Sequence, residues 1–404
     1  MTGPAVPTVR PGPVPTLPAD LSVPAYGRRT LAELLPSVMA ALAVPGFGDV
    51  LGLTPALADV RRVILLLVDG MGENNLAAHT AIAPVLTSMS SPIGPIHAAS
   101  PSSTPVSLAS LGTGVAPGEH GIVGFTVAIP GTDRLLTHID WREDPRPRDW
   151  QPAPTVFETA LRSGVSVRVS GPGGFVGSGL TEAAYRGASY RPAVSAGDLA
   201  SQALAAAAEG ERSLVYAYHG ALDVTGHARG WTSDAWRFQL AQVDLMAATI
   251  LSALPRDTAL VVTADHGMID VATSDKIDMD ASEDELSAER ARGLSAGVRL
   301  VAGEPRARYV YTEPGAEADV LAAWTAILRH RAWVLSREQA IDEGLFGPTV
   351  RTAHAERIGN VMAWARGTHA ITASRREPGA HSLVGYHGSL TADELTVPVR
   401  IGRA

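Results

Sequence analysis

Residues Val63 to Gly72 read VILLLVDGMG. Six apolar residues, each β-branched or leucine, stop at Asp69, and Gly70 follows at once. A short apolar run ended by a turn signal predicts a strand buried on both faces, as in the middle of a parallel sheet. Ligands of open α/β sheets sit outside the carboxyl ends of the strands. Asp69 would therefore be held where chemistry usually takes place. Taken alone, it fits a cap for the next helix equally well.

Working outward, the same arrangement recurs. A strand pattern over 213–218 runs into YHGALDVTGH, and another over 259–263 runs into ADHGM. Helical patterns lie between the strand patterns, at 29–43, 106–111, 154–162, 197–209 and 232–254, with a further buried strand at 165–169. Pro36 inside the first helix predicts a kink or a restart, and Gly112 is expected to close the second. Strand alternating with helix predicts an α/β fold, with a doubly wound, mainly parallel central sheet flanked by helices.

The character changes after about residue 272. Residues 275–292 hold ten charged side chains. Short strand patterns at 298–301, 308–311 and 333–335 then mix with a helix at 318–329, as in a smaller α+β insertion. The apolar stretches 358–365 and 370–373 are expected to return to the main sheet. The expected division is a Pro-rich arm over 1–30, a catalytic core over 31–272 and 356–404, and an insertion over 273–355. Six prolines before position 19 make the arm read as extended chain.

Composition narrows the function classes. The chain has 404 residues, of which 46% are hydrophobic and 18% charged, as in an ordinary globular protein. Its net charge of −8 argues against a binder that neutralises nucleic-acid phosphates. A small anionic substrate remains compatible, because a bound metal ion can dominate the local field. The absence of cysteine excludes disulfides, thiolate metal sites and a cysteine nucleophile. No secretory leader pattern and no apolar run of membrane length are present, so a cytoplasmic protein without a membrane partner is expected. The sequence does not indicate an oligomeric state.

Three aspartates and three histidines follow the predicted core strands or sit in glycine-flanked turns. They are Asp69, Asp223 with His227 in a D-x-x-x-H spacing, Asp265 with His266, and His387 before Gly388. Such a donor set suits zinc or manganese, and six donors can hold two divalent ions, the clamp used for in-line phosphoryl displacement. The nucleophile should be a hydroxyl beside them. Ser102, Ser103 and Thr104 stand immediately before a predicted helix start, where free N–H groups and the helix dipole favour a phosphoryl oxygen. No G-x-G-x-x-G follows the 63–68 strand, which removes a Rossmann-type dinucleotide site.

The set VDGMG, SSTPVSLASLGTGVAPGEHGIVGF, YHGALDVTGH, TADHGM and YHGSL resembles the alkaline phosphatase superfamily. Within it, the chain looks like the type I phosphodiesterase/nucleotide pyrophosphatase branch. The resemblance implies that Asp69, Asp265 and His266 hold one metal together with Thr104. It implies that Asp223, His227 and His387 hold the other. The shared segment Thr113 to Ile122 places the nucleophile at Thr104 rather than Ser103, and leaves His120 structural. His387 rather than His381 matches the branch's His-Gly pair.

The branch usually has Phe-Pro-Asn after the nucleophile; here Pro105, Val106 and Ser107 follow, so Ser107 is the candidate oxyanion contact. The implied activity is hydrolysis of a phosphodiester or pyrophosphate in a small phosphate ester through a phospho-threonine. Phosphomonoesterase, phosphonate hydrolase and a catalytically inactive relative are the alternatives. A sulfatase does not fit, since that branch resembles Cys- or Ser-x-Pro-x-Arg at the nucleophile. A cofactor-independent phosphoglycerate mutase would be longer and would ordinarily use serine. Trp141, Trp150, Phe175, Tyr185 and Tyr190 can stack on a base, yet packing is the expected role for each.

Overall fold

A computed structural model describes residues 21–142, 144–282 and 284–403. The Pro-rich stretch over 1–20 lies outside the described residues. The strand β1 (Arg62–Val68) is buried at every position after Arg62, as its run of branched apolar side chains dictates. Four strands join it: β2 (Ser166–Pro172), β3 (Ser189–Ala193), β4 (Ser213–His219) and β5 (Thr258–Thr263). β1 pairs in parallel with β4 on one side and β5 on the other, and β2 bridges β4 and β3 in parallel.

Helices flank this sheet. One group consists of α1 (Leu31–Ala41), α2 (Thr104–Thr113) and α3 (Gly179–Tyr185), with α2 touching both others. A second group includes α4 (Ala221–Arg229) and the long α5 (Asp234–Ser252), which pack together. α1 runs unbroken through Pro36, held at its start by a capping box between Thr30 and Glu33. Gly112 does not end α2, which continues to Thr113 and closes at Gly114 in the left-handed conformation. A Cβ on Gly112 would overlap the carbonyl oxygen of Ala184, so this glycine serves a close helix crossing.

The region after residue 272 builds its own antiparallel sheet from β6 (Val298–Glu304), β7 (Ala307–Thr312), β8 (Ala332–Ser336) and β9 (Val361–Ala365). Its order is β6-β7-β9-β8. The helix Glu317–Leu328 covers it and shares a separate small core with Val310, Val361 and Trp324. β9 therefore corrects the expectation that 358–365 returns to the main sheet. Ala370–Thr372 likewise pairs with Lys276–Asp278, not with the central strands. Periodicity reports burial, and either sheet offers the same burial to an apolar run. The strand that does return is β10 (Arg400–Arg403), antiparallel beside β5, giving the sheet order β10-β5-β1-β4-β2-β3.

Arg306, in the turn between β6 and β7, is fully buried and forks onto Glu394, at 3.0 Å from Nε and 2.6 Å from Nη2. Arg308 makes a similar fork onto Glu377. Among the described residues no helix is long and apolar enough to cross a membrane.

Candidate active site

The strands β1, β4 and β5 run the same way, with Leu67 level with Tyr218 on one side and Thr263 on the other. Whatever follows each strand collects at one edge of the sheet, and this register brings Asp69, the α4 turn and Asp265–His266 together. Asp69 caps nothing. The helix after it, Glu73–Ala77, starts beyond Gly72 without a side-chain cap. Gly70 takes φ +74°, and a Cβ there would press on Asp223 at 3.1 Å, so only glycine suits this turn.

Asp223 and His227 lie four residues apart on α4, hence on one face, with His227 Nε2 3.3 Å from Asp223 Oδ2. His387 arrives from the other side of the sequence. Gly385–Tyr386 pairs with Ile269–Asp270, just past His266, and delivers the His387 ring onto that of His266. The two rings stack 3.5 Å apart with planes at 12°. Ser102 ties the same loop down: its Oγ accepts from Gly388 N–H at 3.1 Å.

Each imidazole meets a backbone carbonyl with Nδ1. His227 reaches Gly385 at 2.8 Å, His266 reaches Gly267 at 3.0 Å, and His387 reaches Ser102 at 2.9 Å. With Nδ1–H donated there, every Nε2 is left to face the cluster, the arrangement that orients imidazoles for a metal. Asp223, His227 and His387 offer donor atoms within 4.8 Å of one another, as do Asp69, Asp223 and His266. Asp223 thus stands between the two groups. Asp265 Oδ1 accepts from Gly70 and His266 N–H groups at 3.2 and 3.1 Å, and its Oδ2 lies 3.6 Å from His266 Nε2.

The donor set fits divalent ions by its own electrostatics. Asp69 Oδ1, Asp223 Oδ1 and Asp265 Oδ2 are buried without a hydrogen-bond partner, and buried carboxylates demand a positive neighbour. Burial and the nearby Asp69 raise Asp265 to about 7 and lift Asp223 well above the carboxylate range. Burial opposes protonation of His266, yet Asp265, Asp69 and Asp223 outweigh it and push the imidazole to about 10. The cluster is short of positive charge, and hard-to-borderline cations with nitrogen and oxygen ligands supply it.

Thr104 opens α2 and points at this cluster, with Oγ1 3.1 Å from His266 Nε2. The other two hydroxyls do not: Ser102 Oγ donates to the Ser389 carbonyl at 2.7 Å, and Ser103 is the N-cap residue, its Oγ buried and unpartnered. Ser107, the candidate oxyanion contact, sits farther along the same helix. It is fully buried one turn into α2, its Oγ accepting from Ala99 N–H at 3.4 Å. His120 is buried between Ser110 Oγ and Ile122 N–H, and His381 bonds Thr372, both apart from the cluster.

Two residues absent from the sequence reading belong here. Tyr218, at the end of β4, donates its hydroxyl proton to Asp69 Oδ2. Glu304, at the end of β6, brings the insertion to the site, its Oε2 3.8 Å from His387 Nδ1 and its Oε1 unpartnered. Tyr218 lay inside a quoted motif and alternates with Tyr216 on one strand face. Nothing local marks Glu304. A cavity of about 340 Å³ opens from Asp69, Thr104, His227 and His387, and Phe175, Tyr185 and Tyr190 line it. Trp141 and Trp150 instead pack with His138 in the interior.

Solved structures with this fold include murine ectonucleotide pyrophosphatase/phosphodiesterase 5, 18% identical, with 84% of this chain and 88% of that one covered at a TM-score of 0.66. The phosphonoacetate hydrolase of Sinorhizobium meliloti 1021, solved with phosphonoformate, is 20% identical, with 85% and 90% covered and a TM-score of 0.63. No curated protein sequence matches significantly. The architecture is that of the alkaline phosphatase superfamily, and the protein is a phosphoric ester hydrolase. A family model described as type I phosphodiesterase/nucleotide pyrophosphatase matches residues 63–390, and the chain belongs to that family.

Proposed function

We propose that the protein hydrolyses phosphodiester or pyrophosphate bonds of small esters through a phospho-threonine on Thr104. Asp69, Asp265, His266 and Thr104 would hold one divalent ion, and Asp223, His227 and His387 the other, with zinc in first place and manganese the alternative. The observation that carries the reading is the approach of Thr104 Oγ1 to His266 Nε2, beside buried carboxylate oxygens that have no partner. Divalent ions bound there supply charge neutralisation and lower the pKa of an adjoining hydroxyl.

The chain's own part is positional. α2 aims its N-terminal dipole at the phosphoryl oxygens, and Thr104 presents Oγ1 for in-line attack on phosphorus. The hydroxyl proton passes to solvent, the new P–Oγ1 bond forms, and the ester oxygen leaves with its bonding pair and takes up a proton. Water then attacks the phospho-threonine, breaks P–Oγ1 and restores the hydroxyl. Two displacements give net retention at phosphorus.

Thr104→Ala is expected to abolish hydrolysis of bis(p-nitrophenyl) phosphate while metal content stays near about two ions per chain. Full activity in that variant would refute the threonine nucleophile. A large preference for p-nitrophenyl phosphate over the diester would turn the assignment to a monoesterase.

A further inference from the structure

Glu304 closes β6, and the chain returns as β7 after Pro305 and Arg306. Its place is tightly fixed. Ile371 N–H donates to the Pro305 carbonyl at 2.7 Å, and Ala365 N–H to that of Arg306 at 2.8 Å. Arg306 and Arg308, on either side of Ala307, are engaged by Glu394 and Glu377 and by the carbonyls of His369 and Ile371. Glu304 is left without either. It is 7% exposed, and its Oε1 has no hydrogen-bond partner. Its one ion-pair contact among the described residues is His387 Nδ1, 3.8 Å from Oε2. That nitrogen already meets the Ser102 carbonyl at 2.9 Å. A carboxylate buried on these terms costs stability, and for packing alone an apolar side chain would do better.

The carboxylate lies between two parts of the site. Gly388 takes φ +121°, and a Cβ there would lie 2.7 Å from Glu304 Cδ and 2.9 Å from Oε1. The group thus rests directly on the residue after His387. On the other side stands Ser103. It is the N-cap residue of α2, yet its hydroxyl bonds no N–H of the first turn. Pro105 withholds one of the donors that such a hydroxyl ordinarily takes. Ser103 Oγ is buried without a partner as well. Burial raises the Glu304 carboxyl, and the Ser103 hydroxyl is the foremost group acting against that rise, so the two face each other. An unpaired donor and an unpaired acceptor meet next to Thr104, one residue beyond Ser103, and next to His387.

We propose that Glu304 is a positioning residue for the Thr104 reaction. Its carboxylate accepts the Ser103 hydroxyl on one side and faces the His387 ring on the other. It so holds the start of α2 in register with the loop that carries His387. The inference rests on the two-metal threonine reading and adds to it a residue outside the ligand set. With an ion on Nε2 the His387 ring would turn more positive, and Glu304 would gain the counter-charge that it lacks. Through Ser103 the same carboxylate fixes the backbone on which Thr104 begins. A reacting group displaced by about 1 Å loses roughly 100-fold in rate.

Glu304→Gln keeps the size and the acceptor for Ser103 and removes the charge, whereas Glu304→Ala removes both. In a zinc-competition titration of the full chain, Glu304→Gln should bind zinc at least about 10-fold more weakly. Without metal, its unfolding midpoint should equal or exceed the parent's, because an unpaired buried carboxylate has gone. Glu304→Ala should lower kcat for bis(p-nitrophenyl) phosphate about 10- to 100-fold with KM within about twofold. Ser103→Ala by itself should lower kcat, and should add almost nothing to Glu304→Ala, as for two groups acting together. Parent-like zinc affinity in Glu304→Gln, or serine and glutamate effects that multiply in full, would overturn the proposal. A lowered midpoint with kcat and zinc affinity unchanged would mark a merely structural acid and overturn it too. Full activity in Thr104→Ala signals instead that the threonine reading has failed. The zinc titration and the metal-free midpoint need no substrate, and they still decide whether Glu304 supports His387.

Discussion

Tyr218 shows how a single hydroxyl prepares a carboxylate. Burial works against the charge on Asp69, but the adjoining His266 and the Tyr218 O–H hold its carboxyl below the usual range. Tyr218→Phe keeps the ring and removes the donor. Under the proposed ligand set, it should weaken divalent-ion affinity about 10- to 100-fold in a zinc-competition titration while leaving the unfolding midpoint nearly in place. An unaltered affinity would show that the hydroxyl does not tune Asp69. At this scale the sequence was informative where a donor follows an apolar strand. Asp69, Asp265 and His266 all end such runs, and their side chains have nowhere else to go. Ser107 was placed by counting along a family motif, a step that says nothing of its local partner, the Ala99 N–H. Tyr185 and Tyr190 were legible as aromatic and illegible as cavity walls, since the wall exists only once α3 and the edge strand β3, paired with β2, are in place.

At the level of elements, α2 carries Thr104 at one end and is set by its crossing with α3 near the other. Gly112 allows that crossing, because any side chain there meets the Ala184 carbonyl. Gly112→Ala should destabilise the protein by roughly 1–3 kcal/mol through overpacking and should displace Thr104 along the helix axis. Denaturant unfolding together with kcat measures both effects. Loss of stability with wild-type kcat would mean that the strain is absorbed by α3 instead. The central strands β1, β4 and β5 were readable because complete burial leaves an uninterrupted apolar run. The helix α4 was not, since its nine residues have little apolar face and take their helical form from α5 and the strand edge. β9 was readable as a strand and unreadable as to sheet, because pairing partners are a property of the assembled chain.

For the molecule as a whole, the β6-β7-β9-β8 sheet and the segment after His387 are joined where charge is buried. Arg306 from the β6–β7 turn and Glu394 from the segment after His387 have fully buried side chains, and Glu394 also accepts from Ser389 N–H at 2.9 Å. Removing one partner leaves the other charge unpaired in the interior. Arg306→Met should therefore cost about 3–5 kcal/mol, read as a lowered unfolding midpoint, while the double variant Arg306→Met/Glu394→Leu should recover much of it. A single variant as stable as the parent would show that the pair is not what joins the two parts.

The same ion pair bears on dissection of the chain. Excising the β6–β7 sheet would leave Glu394 buried without its cation. A fragment that kept either side of this pair without the other would bury a charge with no partner. The helix Glu285–Ser295, with only Ala291 and Leu294 buried, takes no part in that bond and is the segment whose removal should matter least to it.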